Sequence, residues 1–174
     1  MVEKGEAPCY TDRSKYAGKW RNKWNMNEKR GILPRGWQKR IFIMTAAALA
    51  GNFLMAVFPW PEQILEQYQE AASRMPGGGM RFLFMTLFLA PAAEEAFFRL
   101  GIYGFLRRFA GFWPSAVFSA LAFAVYHGNW IQGVYAFLSG IVLAWGYESS
   151  EYRKYLMAAV MHGAANLAAL AVFG

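Results

Sequence analysis

Residues 80–105 read Met80-Arg-Phe-Leu-Phe-Met-Thr-Leu-Phe-Leu-Ala-Pro-Ala-Ala-Glu94-Glu95-Ala-Phe-Phe-Arg99-Leu-Gly-Ile-Tyr-Gly-Phe105. A membrane-crossing helix needs about 20 largely apolar residues, and this stretch supplies them with Glu94, Glu95 and Arg99 at its centre. Each charge at a helix centre costs about 2.5–3.5 kcal/mol on insertion scales, so three of them require a reason. Glu95 and Arg99 stand one helical turn apart and are able to pair. Glu94 lies about 100° further round the helix and is left over. A buried Glu/Arg lock between helices would account for two of the three charges. The third asks for chemistry.

Four other stretches come near the length of a span: 41–58, 112–127, 131–147 and 156–173. The fold expected is therefore all-α, a polytopic transmembrane helical bundle of about five spans. The third and fourth spans are divided only by His127-Gly-Asn-Trp130, which the sequence leaves open as an outer turn or a break within the membrane. Between the first two, Glu62, Glu66 and Glu70 recur every fourth residue before Met-Pro-Gly-Gly-Gly at 75–79. That pattern predicts a short interfacial helix followed by a hinge at Gly77–Gly79.

The composition agrees. Of 174 residues, 56% are hydrophobic and 17% charged, against about 45–50% and about 25% in soluble domains. Residues 1–40 hold eleven Lys/Arg and four Asp/Glu, whereas 41–174 hold seven of each, so the whole net charge of +7 sits in the first forty residues. The chain divides into a basic amino-terminal segment, 1–40, and a transmembrane domain, 41–174. Basic residues with tryptophans before a hydrophobic span read as a cytoplasmic membrane-surface segment rather than a nucleic-acid patch, so no nucleic acid is expected as a partner. The segment lacks an apolar stretch typical of a cleavable signal peptide, which leaves the first span as its own anchor. Arg35, Lys39 and Arg40, then Arg107 and Arg108, then Arg153 and Lys154 all fall on one side of a five-span layout. The positive-inside rule makes that side cytoplasmic, with Gly174 at the outer face of the inner (plasma) membrane. Arg74 and Arg81 are exceptions beside the glutamates. The single cysteine, Cys9, lies in the basic segment and excludes thiol chemistry in the bilayer.

Both histidines fall in spans. His127 ends the third, and His162 opens His162-Gly-Ala-Ala-Asn166 in the fifth. His162 and Asn166 share a helix face, and the small residues between them let another helix or a peptide approach closely. Such a set suits peptide hydrolysis. An ionised glutamate takes a proton from water, a histidine orients that water, and a His/Asn pair donates hydrogen bonds to the developing oxyanion.

Glu94-Glu95-x-x-x-Arg99, Phe123-x-x-x-His127 and His162-x-x-x-Asn166 resemble the three ordered motifs of the CPBP intramembrane proteases, which include the CAAX-prenyl endopeptidases and bacteriocin-processing or immunity proteins. The resemblance covers about residues 80–170. It implies that Glu94 is the general base, that His127 shares its water, and that His162 and Asn166 stabilise the oxyanion. Glu95 and Arg99 would support the site or hold substrate, with Phe123 packed beneath. The family is of glutamic type, so the resemblance implies no metal and no cofactor. With about five spans the chain looks like a small bacterial member, some of which resemble sorting enzymes that process carboxy-terminal membrane anchors. Its partners would be a membrane-anchored protein or peptide and the lipid bilayer.

Three rivals stand beside this reading. Glu94, His127 and His162 would make a two-His, one-Glu zinc set, although no His-Glu-x-x-His helix is present. Ser139-Gly140 could serve as a rhomboid-like nucleophile with His162, but Phe137 stands where that motif has glycine, and a small-residue helix contact explains the pair. Intramembrane Glu, His and Arg also build ion pathways and ligand sites, so a carrier or an immunity protein that binds without cutting is the non-enzymatic alternative.

Overall fold

The computed structural model describes residues 31–73 and 79–173. The basic segment up to residue 30, with Cys9, and the hinge residues Gly77 and Gly78 lie outside the described residues. Everything described from Leu33 onward belongs to one compact unit, and among the described residues it is all-helical.

Helix α1 (Trp37–Val57) begins after Gly36, whose φ of 70° a glycine adopts without strain, and ends at Phe58. Phe58 is extended, with ψ 134°, because Pro59 clashes with a helical predecessor. Helix α2 (Glu62–Ser73) follows Pro61 and carries Glu62 in its first turn, where the helix dipole favours an acid. None of its residues is buried, and the helix expected from the glutamate spacing is present.

Helix α3 runs over 80–106 without interruption but changes its winding. Segments Met85–Leu89 and Ala96–Tyr103 are π-helical and flank the α-helical turn Ala90–Glu95. Helices α4 (Phe112–Tyr126) and α5 (Trp130–Glu148) form a hairpin, and α6 (Lys154–Phe173) closes the bundle. The segment 127–130, left open by the sequence, is a tight turn. Gly128 has φ 71°, and the Asn129 side chain caps α5 by accepting from the Gln132 amide at 2.9 Å.

Small residues set the helix spacing. A Cβ on Gly140 would come within 3.0 Å of Ala120 across the hairpin, so α4 and α5 meet at backbone distance. Ser119 of α4 donates to the Phe98 carbonyl of α3 at 2.7 Å. Met44, Ala48, Phe98, Phe123, Leu143, Met157 and Met161 fill the centre. Outward-facing positions are apolar as well: Phe88, Phe97, Phe118 and Val125 are all more than 60% exposed, a surface suited to hydrocarbon rather than water.

Two helices, Trp37–Val57 and Lys154–Phe173, are individually long and apolar enough to cross a membrane. At one end of the bundle the basic clusters converge on the α5–α6 connection. Arg40 donates to the Ser149 hydroxyl at 3.0 Å and to the Ser149 carbonyl, and Arg107 pairs with Glu148 at 3.0 Å. Lys154 approaches the same carboxylate at 3.7 Å. The Glu148 charge raises the pKa of Arg107 and holds it protonated.

Candidate active site

The site starts with Pro91. A proline has no N–H, so it leaves carbonyls one turn earlier without the backbone donor a helix normally provides. Ala90 reaches back five residues to the Met85 carbonyl, which is the local π turn. The Thr86 carbonyl instead accepts the Asn166 side-chain amide of α6 at 2.9 Å. Beside it, the Leu87 carbonyl lies so close to Gly163 that a Cβ there would sit 2.5 Å from the oxygen. Only glycine fits. Thus the irregular winding of α3 creates the acceptor that holds Asn166, and Gly163 permits the approach. π turns of this kind recur at functional sites.

One turn on, Glu95 is fully buried and serves two cations or donors. Its Oε2 lies 3.2 Å from Arg99 Nε, an ion pair without good hydrogen-bond alignment, and its Oε1 lies 2.9 Å from His162 Nδ1. Arg99 is buried too, stacked with its guanidinium carbon 4.6 Å from the Phe123 ring centre, and Nη2 is 3.4 Å from the Gly140 carbonyl. The pairing expected from the four-residue spacing is therefore present. Phe123 also meets both histidine rings edge-on, His127 at 4.7 Å and His162 at 5.7 Å. It packs beneath the site.

Glu94 is the carboxylate without an arginine. Its Oε2 lies 3.6 Å from His162 Nε2, too long for a direct hydrogen bond. Because His162 Nδ1 is bonded to Glu95, its proton belongs there in the neutral ring, which turns Nε2 toward Glu94. His127 is arranged alike: Nδ1 donates to the Phe123 carbonyl at 2.8 Å, so Nε2 is the nitrogen left for other partners. A cavity of about 300 Å³ is lined by Glu94, His127, His162 and Asn166, together with Thr86, Tyr135 and Ser139. The two histidines, at the end of one helix and within another, thus reach a common space.

All seven residues singled out in the sequence lie in or directly behind this cavity. Among the described residues no group of three His, Cys, Asp or Glu side chains is set to hold a metal ion. The close approach expected at the small residues after His162 is met at Gly163, whereas sequence reasoning missed Thr86, Pro91 and Tyr135. A proline five residues after Thr86 in an apolar run was the signal available for the first two.

The family model described as type II CAAX prenyl endopeptidase Rce1-like matches residues 76–168, the part of the chain that carries every residue of the cavity wall except Met44 and Leu170. No curated protein and no solved structure matches the chain.

Proposed function

The chain belongs to the type II CAAX prenyl endopeptidase Rce1-like family, a family of intramembrane proteases, and on that premise we propose that Glu94 is the general base of a glutamate-activated peptide hydrolysis. The observation that carries the reading is the asymmetry of the two carboxylates. Glu95 is consumed by Arg99 and His162 Nδ1, while Glu94 faces the cavity 3.6 Å from Nε2 of the same ring.

A water placed beside that gap contacts both Glu94 and His162, and His127 Nε2 orients it from the opposite wall. Glu94 takes one water proton as the oxygen bonds to the scissile carbonyl carbon. The carbonyl π electrons move to its oxygen, which accepts from the second Asn166 N–H, the one not spent on Thr86, and from His162 when its Nε2 carries a proton. Collapse breaks the C–N bond, and Glu94 returns its proton to the leaving amine. Glu95 and Arg99 hold His162 in place from behind.

The substrate class is a membrane-anchored protein or peptide, with the carboxy-terminal anchor of an exported protein as the proposed case. Five crossings with the basic ends of α1, α3 and α6 in the cytoplasm complete the reading. The test is cleavage of membrane-anchored reporter peptides in detergent or liposomes. Glu94→Gln is expected to lower kcat by about 10²–10⁴ with reporter affinity kept, and Asn166→Ala by about 10²–10³. A strong chelator is expected to leave the wild-type rate unchanged. Loss with chelator and recovery with zinc would replace the reading with a metallopeptidase. Proton-gradient-driven flux that survives Asn166→Ala, with no cleavage, would replace it with a carrier.

A further inference from the structure

A second cavity, of about 430 Å³, lies between the end of α1, the start of α2 and the first turns of α5. It shares two wall residues with the reaction cavity, His127 and Tyr135. Its polar side chains are Asn52, Tyr68 and Gln132 as well as these two. A third cavity, of about 500 Å³, lies beside the α4–α5 hairpin and is walled mainly by Leu121, Val125, Trp130, Val134 and Phe137. The contrast is chemical. An extended peptide brings unpaired N–H and C=O groups that need partners within a membrane, and amide and phenol side chains supply both donors and acceptors. The second cavity has five such polar side chains, whereas the third has two amides, Gln67 and Asn129, the latter already spent on His127 and Gln132, in an otherwise apolar wall.

Tyr135 stands at the boundary with its hydroxyl near the side chains of Ser139 and Asn52. Its ring lies against Gly51 of α1, where a Cβ would be 3.1 Å from the ring carbon. Because the ring is wedged between two helices and faces both spaces, its bulk stands between them.

We propose that the second cavity is the polar antechamber through which an extended peptide segment and water reach Glu94, and that Tyr135 is the specificity-determining side chain that limits what crosses. The inference rests on the peptidase reading of Glu94 for its peptide, but its test reads access and needs no turnover. In a Cys9→Ser background, single cysteines are placed at Gln132 in the antechamber, at Val134 in the apolar groove and at Thr86 in the reaction cavity. A small charged methanethiosulfonate reagent is then applied to the protein in liposomes.

Thiol labelling follows exposure to the aqueous reagent, so Gln132→Cys is expected to react at least about tenfold faster than Val134→Cys. Thr86→Cys is expected to react slowly with Tyr135 in place and at least about tenfold faster with Tyr135→Ala, while Tyr135→Phe, which keeps the ring, leaves the slow rate unchanged. Equal rates at 132 and 134, a Thr86→Cys rate indifferent to Tyr135→Ala, or acceleration by Tyr135→Phe would overturn the proposal. Expected labelling in a protein that cuts no reporter would sink the peptidase reading and leave the aqueous entrance standing.

Discussion

Two adjacent glutamates in α3 do different work, and a single substitution in each separates them. Glu95 is buried and bonded to Arg99 and His162, so Glu95→Gln strands a buried guanidinium and is expected to cost about 3–5 kcal/mol of stability. Glu94 has no such pair, and Glu94→Gln is expected to remove cleavage while leaving thermal unfolding in detergent within about 1 kcal/mol of wild type. Unfolding of both variants, followed by tryptophan fluorescence, checks this. A Glu94→Gln protein as unstable as Glu95→Gln would mean that both carboxylates are structural. The Glu95/Arg99 pair and the surplus of Glu94 were legible from the four-residue spacing alone, because an i, i+4 contact is local. The partner of Asn166 was not. It depends on Pro91 depriving a carbonyl of its donor and on which face of α6 meets α3, and no spacing within either helix contains that second fact. Tyr135 was invisible for a similar reason, since its wedge is made by Gly51 and Asn52, more than eighty residues earlier in the chain.

At the scale of the elements, α6 meets its neighbours through two glycines whose replacement should differ sharply. A Cβ on Gly163 would strike the Leu87 backbone carbonyl, which cannot move without shifting α3. Gly163→Ala is therefore expected to cost about 1–3 kcal/mol and to lower kcat by pulling Asn166 off Thr86. A Cβ on Gly146 would instead meet the end of the Met161 side chain, a flexible thioether able to swing aside. Gly146→Ala should cost less than about 1 kcal/mol and keep activity. Paired unfolding and kinetic measurements decide it, and the idea fails if the two variants behave alike. The five apolar stretches read from the sequence each became a helix, with ends displaced by a few residues, because hydrophobic length is a strong local signal. The π turns of α3 were not readable, since they arise where Pro91 and tertiary partners outweigh the ordinary α pattern. The turn at 127–130 was half-legible: glycine and asparagine announced it, and only the packing of α4 on α5 folded the chain back on itself there.

For the whole molecule, the basic residues from α1, α3 and α6 gather at one end, around Ser149 and Glu148. The five crossings proposed above would place the two ends of the chain on opposite faces. An alkaline phosphatase fused after Gly174 is expected to be active and a green fluorescent protein fused there dark, with the reverse for fusions ahead of the basic segment. Matching signals at both ends would require an even number of crossings.

The bond between Glu95 and His162 joins residues 67 positions apart, and that separation orders the protein's biosynthesis. When α3 leaves the ribosome, Arg99 can answer Glu95 at once, but His162 and Asn166 have not yet been made. The helix therefore emerges with a charged and irregular centre, whose cost in lipid is about 2.5–3.5 kcal/mol for each unanswered charge. Settling of α3 must lag behind the last helix, with the insertion machinery or neighbouring helices sheltering it meanwhile. Chains truncated after α5 should leave α3 open to extraction by alkaline carbonate or to quality-control proteolysis, whereas chains that include α6 should not.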